Sequence, residues 1–223
     1  MLLTGMPGLT SSQVNRLGER LRKEPMTPQD LALLHEYRET YQEPLEALVA
    51  EVRCVADYLG MSAQVAMRPA KTTQSIVRKL IRERTRLSRM QDIAGCRAVV
   101  RMLEDEGLLV AELAARHPDW EVDDRCLNPR YGYRGVHLIT PPPRPVELQI
   151  RTALQQIWAD TSERFDRRSP GVKYGLGSPG LMDGLQRFSD LLAEFEMGGE
   201  LTREVMDDPK VFHKHLDAII EKL

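Results

Sequence analysis

Apolar residues recur at helical spacing through the first quarter of the chain, which predicts helices over 11–24 and 27–60. Thr27, Pro28 and Asp30 stand in N-cap, first-turn and capping-box positions for the second helix, and Gly60 supplies its stop. A short loop through Arg68 and Pro69 leads to a third helix over 72–84, whose apolar residues Ile76, Val77, Leu80 and Ile81 share one arc. The period then changes. IAGCRAVVRM, from Ile93 to Met102, is β-branched and alternating and predicts a strand, after which Glu104 to Arg116 returns to a helical pattern. WEVDDRC, GVHLIT and PVELQIRT are three further strand candidates, the last two joined by a stiff link of Pro141, Pro142, Pro143 and Pro145. Helices over 153–166, 181–196 and 208–221 follow. Helices, then strands, then helices predict an α+β domain with a mixed β-sheet flanked by helices. The expected division is an N-terminal helical region at 1–60 packing on a core at 61–175, with C-terminal helices at 176–223.

With 223 residues, 42% hydrophobic, the chain is long enough for one well-buried domain. No stretch reaches the roughly 18 apolar residues of a membrane span. The start, MLLTGMPGLT, lacks a basic region followed by an apolar core, so a cytoplasmic protein without a membrane partner is expected. Cys54, Cys96 and Cys126 are odd in number and lack CxxC spacing, which points to small buried residues rather than disulfides or zinc. The net charge of −2 conceals a segregation: from Arg68 to Arg101 ten basic residues stand against Glu83 and Asp92. Such a stretch suits nucleotide phosphates, RNA or an acidic protein, or else is a solvated helix face.

The candidate chemistry lies in and after that stretch. Ser75, Lys79 and Arg82 share the face of the third helix opposite its apolar arc, with Lys71 one turn earlier. These residues near a helix N-terminus would clamp a triphosphate, although an ordinary amphipathic helix has the same spacing. In PVELQIRT, Val146, Leu148 and Ile150 point to one side and Glu147, Gln149 and Arg151 to the other, the pattern also of a half-exposed antiparallel strand. Tyr133, Gly135 and His137 alternate likewise. Asp92 stands at the mouth of an apolar strand, and if it neighbours Glu147 the pair would offer Mg²⁺ two oxygen ligands. Spacing leaves that adjacency open.

MRPAKTTQSIVRKLIRE, MQDIAGCRAVV, YGYRGVH and VELQIRTALQQIWAD resemble, in the same order, the synthetase domain of RelA/SpoT proteins, the alarmone synthetases; the likeness spans residues 45–175. The resemblance implies a fold related to nucleotidyltransferases, with the catalytic core at 61–175. It implies a pyrophosphokinase that transfers the β,γ-pyrophosphate of ATP to the 3′-hydroxyl of GDP or GTP, making an alarmone. In that likeness Lys71, Ser75, Lys79 and Arg82 hold the ATP phosphates, and Arg97 and Arg68 sandwich the adenine. Asp92 and Glu147 bind Mg²⁺, with Glu147 also taking the proton of the acceptor hydroxyl. Tyr133 stacks on the acceptor base, and His137, Gln149 and Arg151 complete the acceptor side.

The chain also departs from the family pattern. Many members have Lys-x-Asn-Gly-Tyr-Arg-Ser before the histidine, where this chain has Arg130, Tyr131, Gly132, Tyr133, Arg134 and Gly135. Arg68 stands one residue farther from Ser75 than the matching arginine of common small synthetases. Without room for a hydrolase domain or a long regulatory region, a small, synthesis-only member is expected. The stretch from QQIWADTSERFD to GVKYGLG is similar to the toxin branch of small synthetases, which implies a second acceptor class. That class is the 3′-CCA end of tRNA, or adenosine nucleotides, with an antitoxin protein as restraint. Arg84, Arg86 and Arg89 would then hold RNA phosphates. A noncatalytic nucleotide-binding regulator is a third reading.

Overall fold

The computed structural model describes residues 9–23, 25–68, 70–127, 129–198, 202–208, 210–211 and 213–214. Three helices come first: α1 (Ser11–Leu21), α2 (Pro28–Glu39) and α3 (Gln42–Tyr58). The capping box read at Thr27 is present, with Thr27 Oγ1 accepting from the Asp30 amide and the Asp30 carboxylate accepting from Thr27. The single helix expected over 27–60 is divided at Thr40 and Tyr41. Pro44 explains the break, because it cannot donate to the Thr40 carbonyl and its ring would crowd that group, whereas in the first turn of a new helix it is tolerated. Arg144, whose Nε donates to Thr40 Oγ1 at 2.6 Å, ties the break to the proline-rich link.

Five strands form one sheet in the order β1-β2-β5-β4-β3. They are β1 (Gln64–Arg68), β2 (Gly95–Val100), β3 (Glu121–Asp124), β4 (Val136–Ile139) and β5 (Glu147–Thr152). β2 and β5 pair in parallel and the other pairs are antiparallel, so the sheet is mixed as expected. The edge strand β1 was expected to be loop. Its five residues are mostly exposed on both sides, and what makes it a strand is its pairing with β2, which no local pattern encodes.

Helix α4 (Thr73–Glu83) follows β1, and α5 (Leu103–Arg116) follows β2. One face of the sheet, with Cys96, Ala98, Leu148 and Ile150, shares a continuous apolar core with α1 to α5. Helices α6 (Ala153–Arg168) and α7 (Pro179–Met197), with a 3₁₀ turn at Val172–Tyr174 between them, build a second cluster around Trp158, Leu185 and Phe188. A last short helix, α8, spans Arg203–Asp207. Of the helix expected over 208–221, residues 210–211 and 213–214 are helical, and most of the remainder lies outside the described residues. Among the described residues no helix is long and apolar enough to cross a membrane. Cys96 is buried, Cys126 is partly so, and Cys54 is exposed, against the expectation for that residue, and all three are free thiols.

Candidate active site

Strand register decides which side chains meet. Gly95, Arg97 and Val99 pair with Glu147, Gln149 and Arg151, while His137 and Ile139 pair with Gln149 and Glu147 from the other side, and Ala66 and Arg68 with Arg97 and Gly95. Paired residues share a face, so Arg68, Arg97, His137, Glu147, Gln149 and Arg151 all project from one side of the sheet. This polar side is not solvated. His137, Gln149 and Arg151 are each at most 7% exposed, because β5 is a central strand and α6 lies across it. The alternation that an exposed edge would also produce is therefore a buried polar layer.

Glu147 heads β5. Arg68 Nη1 donates to its Oε2 at 3.2 Å and Gln149 Nε2 to the same oxygen at 2.8 Å. His137 Nδ1 lies 2.9 Å from Oε1 but off the line a ring N–H would need, a close polar contact rather than a hydrogen bond. Burial works against the charged carboxylate, but His137, Arg68 and Gln149 outweigh it and hold the Glu147 pKa at about 2. The layer continues outward. Tyr133 Oη meets His137 Nε2 at 2.7 Å and accepts from Arg151 Nε and Nη2, and Arg151 also donates to Gln149 Oε1 at 3.0 Å. The Tyr133 ring lies under the Arg151 guanidinium, 4.9 Å from its centroid.

Asp92 lies just before β2, where the Lys71 amide donates to the Ile93 carbonyl and the Glu147 amide to that of Ala94. Lys71 Nζ reaches Asp92 Oδ2 at 2.7 Å and Lys79 Nζ at 2.9 Å. Burial raises the Asp92 pKa, the two ammonium groups lower it, and the net shift is downward. Its other oxygen, Oδ1, is buried without a partner.

A cleft of about 370 Å³ joins the two carboxylates, and Arg68, Lys71, Lys79, Arg82, Tyr133, His137, Gln149 and Arg151 line it with them. Two expected site residues are not among the lining. Ser75 lies in the first turn of α4 and accepts from the Thr72 hydroxyl. Arg97 is half-buried with an unpaired Nε, and burial, then Arg151 and Arg68, depress its pKa. Several lining residues are not among the expected site residues: Arg125 before β4, with Arg130 and Tyr131 of the stretch that departs from the family pattern, Trp158, Ala159, Ser162 and Glu163 on α6, and Lys173 and Tyr174 on the 3₁₀ turn. The four on α6 follow helical spacing and so were legible as one face. Tyr174 reaches the cleft through the return of the chain, its ring 3.9 Å from the Arg82 guanidinium carbon.

The donor set fits a magnesium ion. Two ionised carboxylates open into one cleft, and one of them keeps a buried oxygen unused. Among the described residues no group of three or more His, Cys, Asp or Glu assembles, so phosphate and water would fill the remaining positions, as Mg²⁺ commonly allows.

Residues 68–165 match the family model described as the region found in RelA / SpoT proteins. An uncharacterized protein of Mycobacterium tuberculosis is 31% identical over 180 residues, covering 77% of this chain and 64% of the relative's length. The crystal structure of small alarmone synthetase 1 from Bacillus subtilis superposes with a TM-score of 0.60 at 25% identity, covering 78% of this chain and 98% of that one. A GTP pyrophosphokinase family protein from Streptococcus pneumoniae superposes at 0.62 with 20% identity, covering 82% and 97%. Motifs, fold and family model coincide on one segment, residues 68–165, which matches the region found in RelA / SpoT proteins.

Proposed function

We propose that this chain is a pyrophosphokinase that moves the β,γ-pyrophosphate of ATP onto the 3′-hydroxyl of GDP or GTP. The observation that carries this reading is the opening of Asp92 and Glu147 into one cleft walled by cations. Lys71, Lys79 and Arg82 would take the phosphates, with Ser75 at the helix start, and Arg68 and Arg97 would flank the adenine. Asp92 and Glu147 would hold Mg²⁺, which neutralises charge on the phosphates. Tyr133 would face the acceptor base, and His137, Gln149 and Arg151 orient Glu147.

In the reaction a bond forms between the acceptor 3′-oxygen and the β-phosphorus as the bond to the α,β-bridging oxygen breaks, and AMP leaves. Glu147 receives the hydroxyl proton. His137, Arg68 and Gln149 hold that carboxylate in its charged, proton-accepting form. Transfer then rests chiefly on charge neutralisation by preorganised cations.

A second reading keeps this chemistry and changes the acceptor to the 3′ end of tRNA or an adenosine nucleotide, with an antitoxin protein as restraint. It is favoured by Arg84, Arg86 and Arg89, which are exposed and, among the described residues, make no ion pair or side-chain hydrogen bond. Incubation with γ-labelled ATP plus GDP, GTP, ATP or deacylated tRNA identifies the acceptor by which species gains label. Label on GDP or GTP supports the first reading, and label on tRNA, or in a new adenosine nucleotide that carries a 3′-pyrophosphate, the second. Label on none leaves a noncatalytic nucleotide-binding regulator. If tRNA is the acceptor, changing all three arginines to alanine lowers labelling steeply and flattens its salt dependence; unchanged labelling refutes the role of the stripe.

A further inference from the structure

The turn that carries Tyr133 is unusual for its sequence. Arg130 and Tyr133 form an isolated antiparallel bridge, and the Tyr133 amide donates to the Arg130 carbonyl at 3.0 Å. Between them Tyr131 has φ +56° and Gly132 φ +83°, the values of a type I′ turn. Asn, Asp and Gly favour the first of these positions, and a bulky side chain there strains the backbone. Tyr131 nevertheless occupies it, and 51% of its surface is exposed at the rim of the cleft.

The surroundings hold that ring in place. Gly132 is clamped from behind, its carbonyl accepting from Ser189 Oγ at 2.5 Å, and a Cβ on it would lie 2.9 Å from Trp158. On the opposite lip a Cβ on Gly175 would run into the Tyr131 ring, so only glycine lets the two segments approach so closely. A strained, half-exposed aromatic ring on an anchored turn, beside a cleft walled by cations, points to a role in holding a ligand.

We propose that Tyr131 stacks on the base of the acceptor nucleotide at the mouth of the cleft, and so contributes to the choice of acceptor; the proposal rests on the pyrophosphokinase reading above. Tyr133 lies deeper, with its hydroxyl committed to His137 and Arg151. Tyr131 presents a flat face without such ties, and every base offers a matching π-face.

The test compares wild-type protein with Y131N and Y131W in steady-state transfer from labelled ATP to GDP or GTP. Equilibrium dialysis of labelled GDP runs beside it without ATP. Asparagine suits the turn, so Y131N keeps the fold, and its melting temperature holds or rises. Loss of one base–aromatic contact raises the acceptor KM about tenfold or more and weakens GDP binding by the same factor. The KM for ATP stays unchanged, and Y131W restores the acceptor values. Y131N with wild-type acceptor KM and GDP binding overturns the proposal while leaving the enzyme reading intact. If the wild type transfers pyrophosphate to neither nucleotide, the acceptor reading falls and dialysis alone decides. GDP bound equally by both proteins, or by neither, then overturns the stacking role, and weaker binding by Y131N upholds it.

Discussion

A buried carboxylate that stays charged needs counter-charge and hydrogen-bond donors within a few ångströms, and Glu147 has Arg68 at 3.2 Å and Gln149 at 2.8 Å, with the His137 ring at 2.9 Å. Asp92 has two lysines and one spare oxygen. Replacing Glu147 by glutamine keeps the size of the side chain but removes its charge and its ability to accept a proton. Transfer by Glu147→Gln is expected to fall by roughly 10²- to 10⁴-fold, the range of a lost general base. Steady-state assay with ATP and GDP or GTP checks it, and full turnover refutes the assigned role. The residue types of this site were legible in the sequence, because alternation in PVELQIRT assigned Glu147, Gln149 and Arg151 to one side of a strand. That this side is sealed under a helix, and that His137, Arg68 and Gln149 outweigh the burial and hold the Glu147 pKa at about 2, was not legible, since both depend on residues far away in the chain.

At the scale of elements, the parallel pairing of β2 with β5 brings the two acids into one cleft. Gly95 in DIAGCR is part of that pairing, and a Cβ there would lie 2.7 Å from the carbonyl oxygen of Glu147. The strands approach too closely for any side chain. Gly95→Ala is therefore expected to cost about 1–3 kcal/mol by overpacking. It is also expected to lower transfer by on the order of 10²-fold, as misplacement of a reacting group by an ångström does. Chemical denaturation and steady-state kinetics on one preparation measure both, and a variant with wild-type activity would show that Glu147 tolerates the shift. Most helices and strands were readable from periodicity and caps, Thr27 and Asp30 among the clearest. The break at Thr40 also had a local signal, in Pro44, but β1 had none, since its order comes from its neighbour.

At the scale of the whole molecule, buried acids join the two apolar clusters. Glu106 on α5 accepts from Gln155, and Glu196 on α7 accepts from the Thr152 hydroxyl. Burial raises both carboxyl pKa values to about 7, with the charge of Glu106 adding to the rise at Glu196. A folded pKa above the unfolded value of about 4.3 means that the folded protein holds protons the unfolded chain releases. The stabilisation is thus complete below that unfolded value and is lost as pH rises through about 7. Melting temperature should fall between pH 5 and pH 7, and Glu196→Gln should flatten the fall while keeping a partner for Thr152. Equal slopes in the two proteins would exclude Glu196 as a source.

The sequence by itself determined the local periods, the caps, the charge segregation and the ordered motifs of the RelA/SpoT region, because each depends on residues within a few positions of one another. The tertiary structure decided the strand register, the burial of the polar layer, the capture of Asp92 by Lys71 and Lys79, and the arrival of Tyr131 and Tyr174 at the same rim. Those contacts join segments tens of residues apart, and their energies exist only after the chain has closed the loops between them.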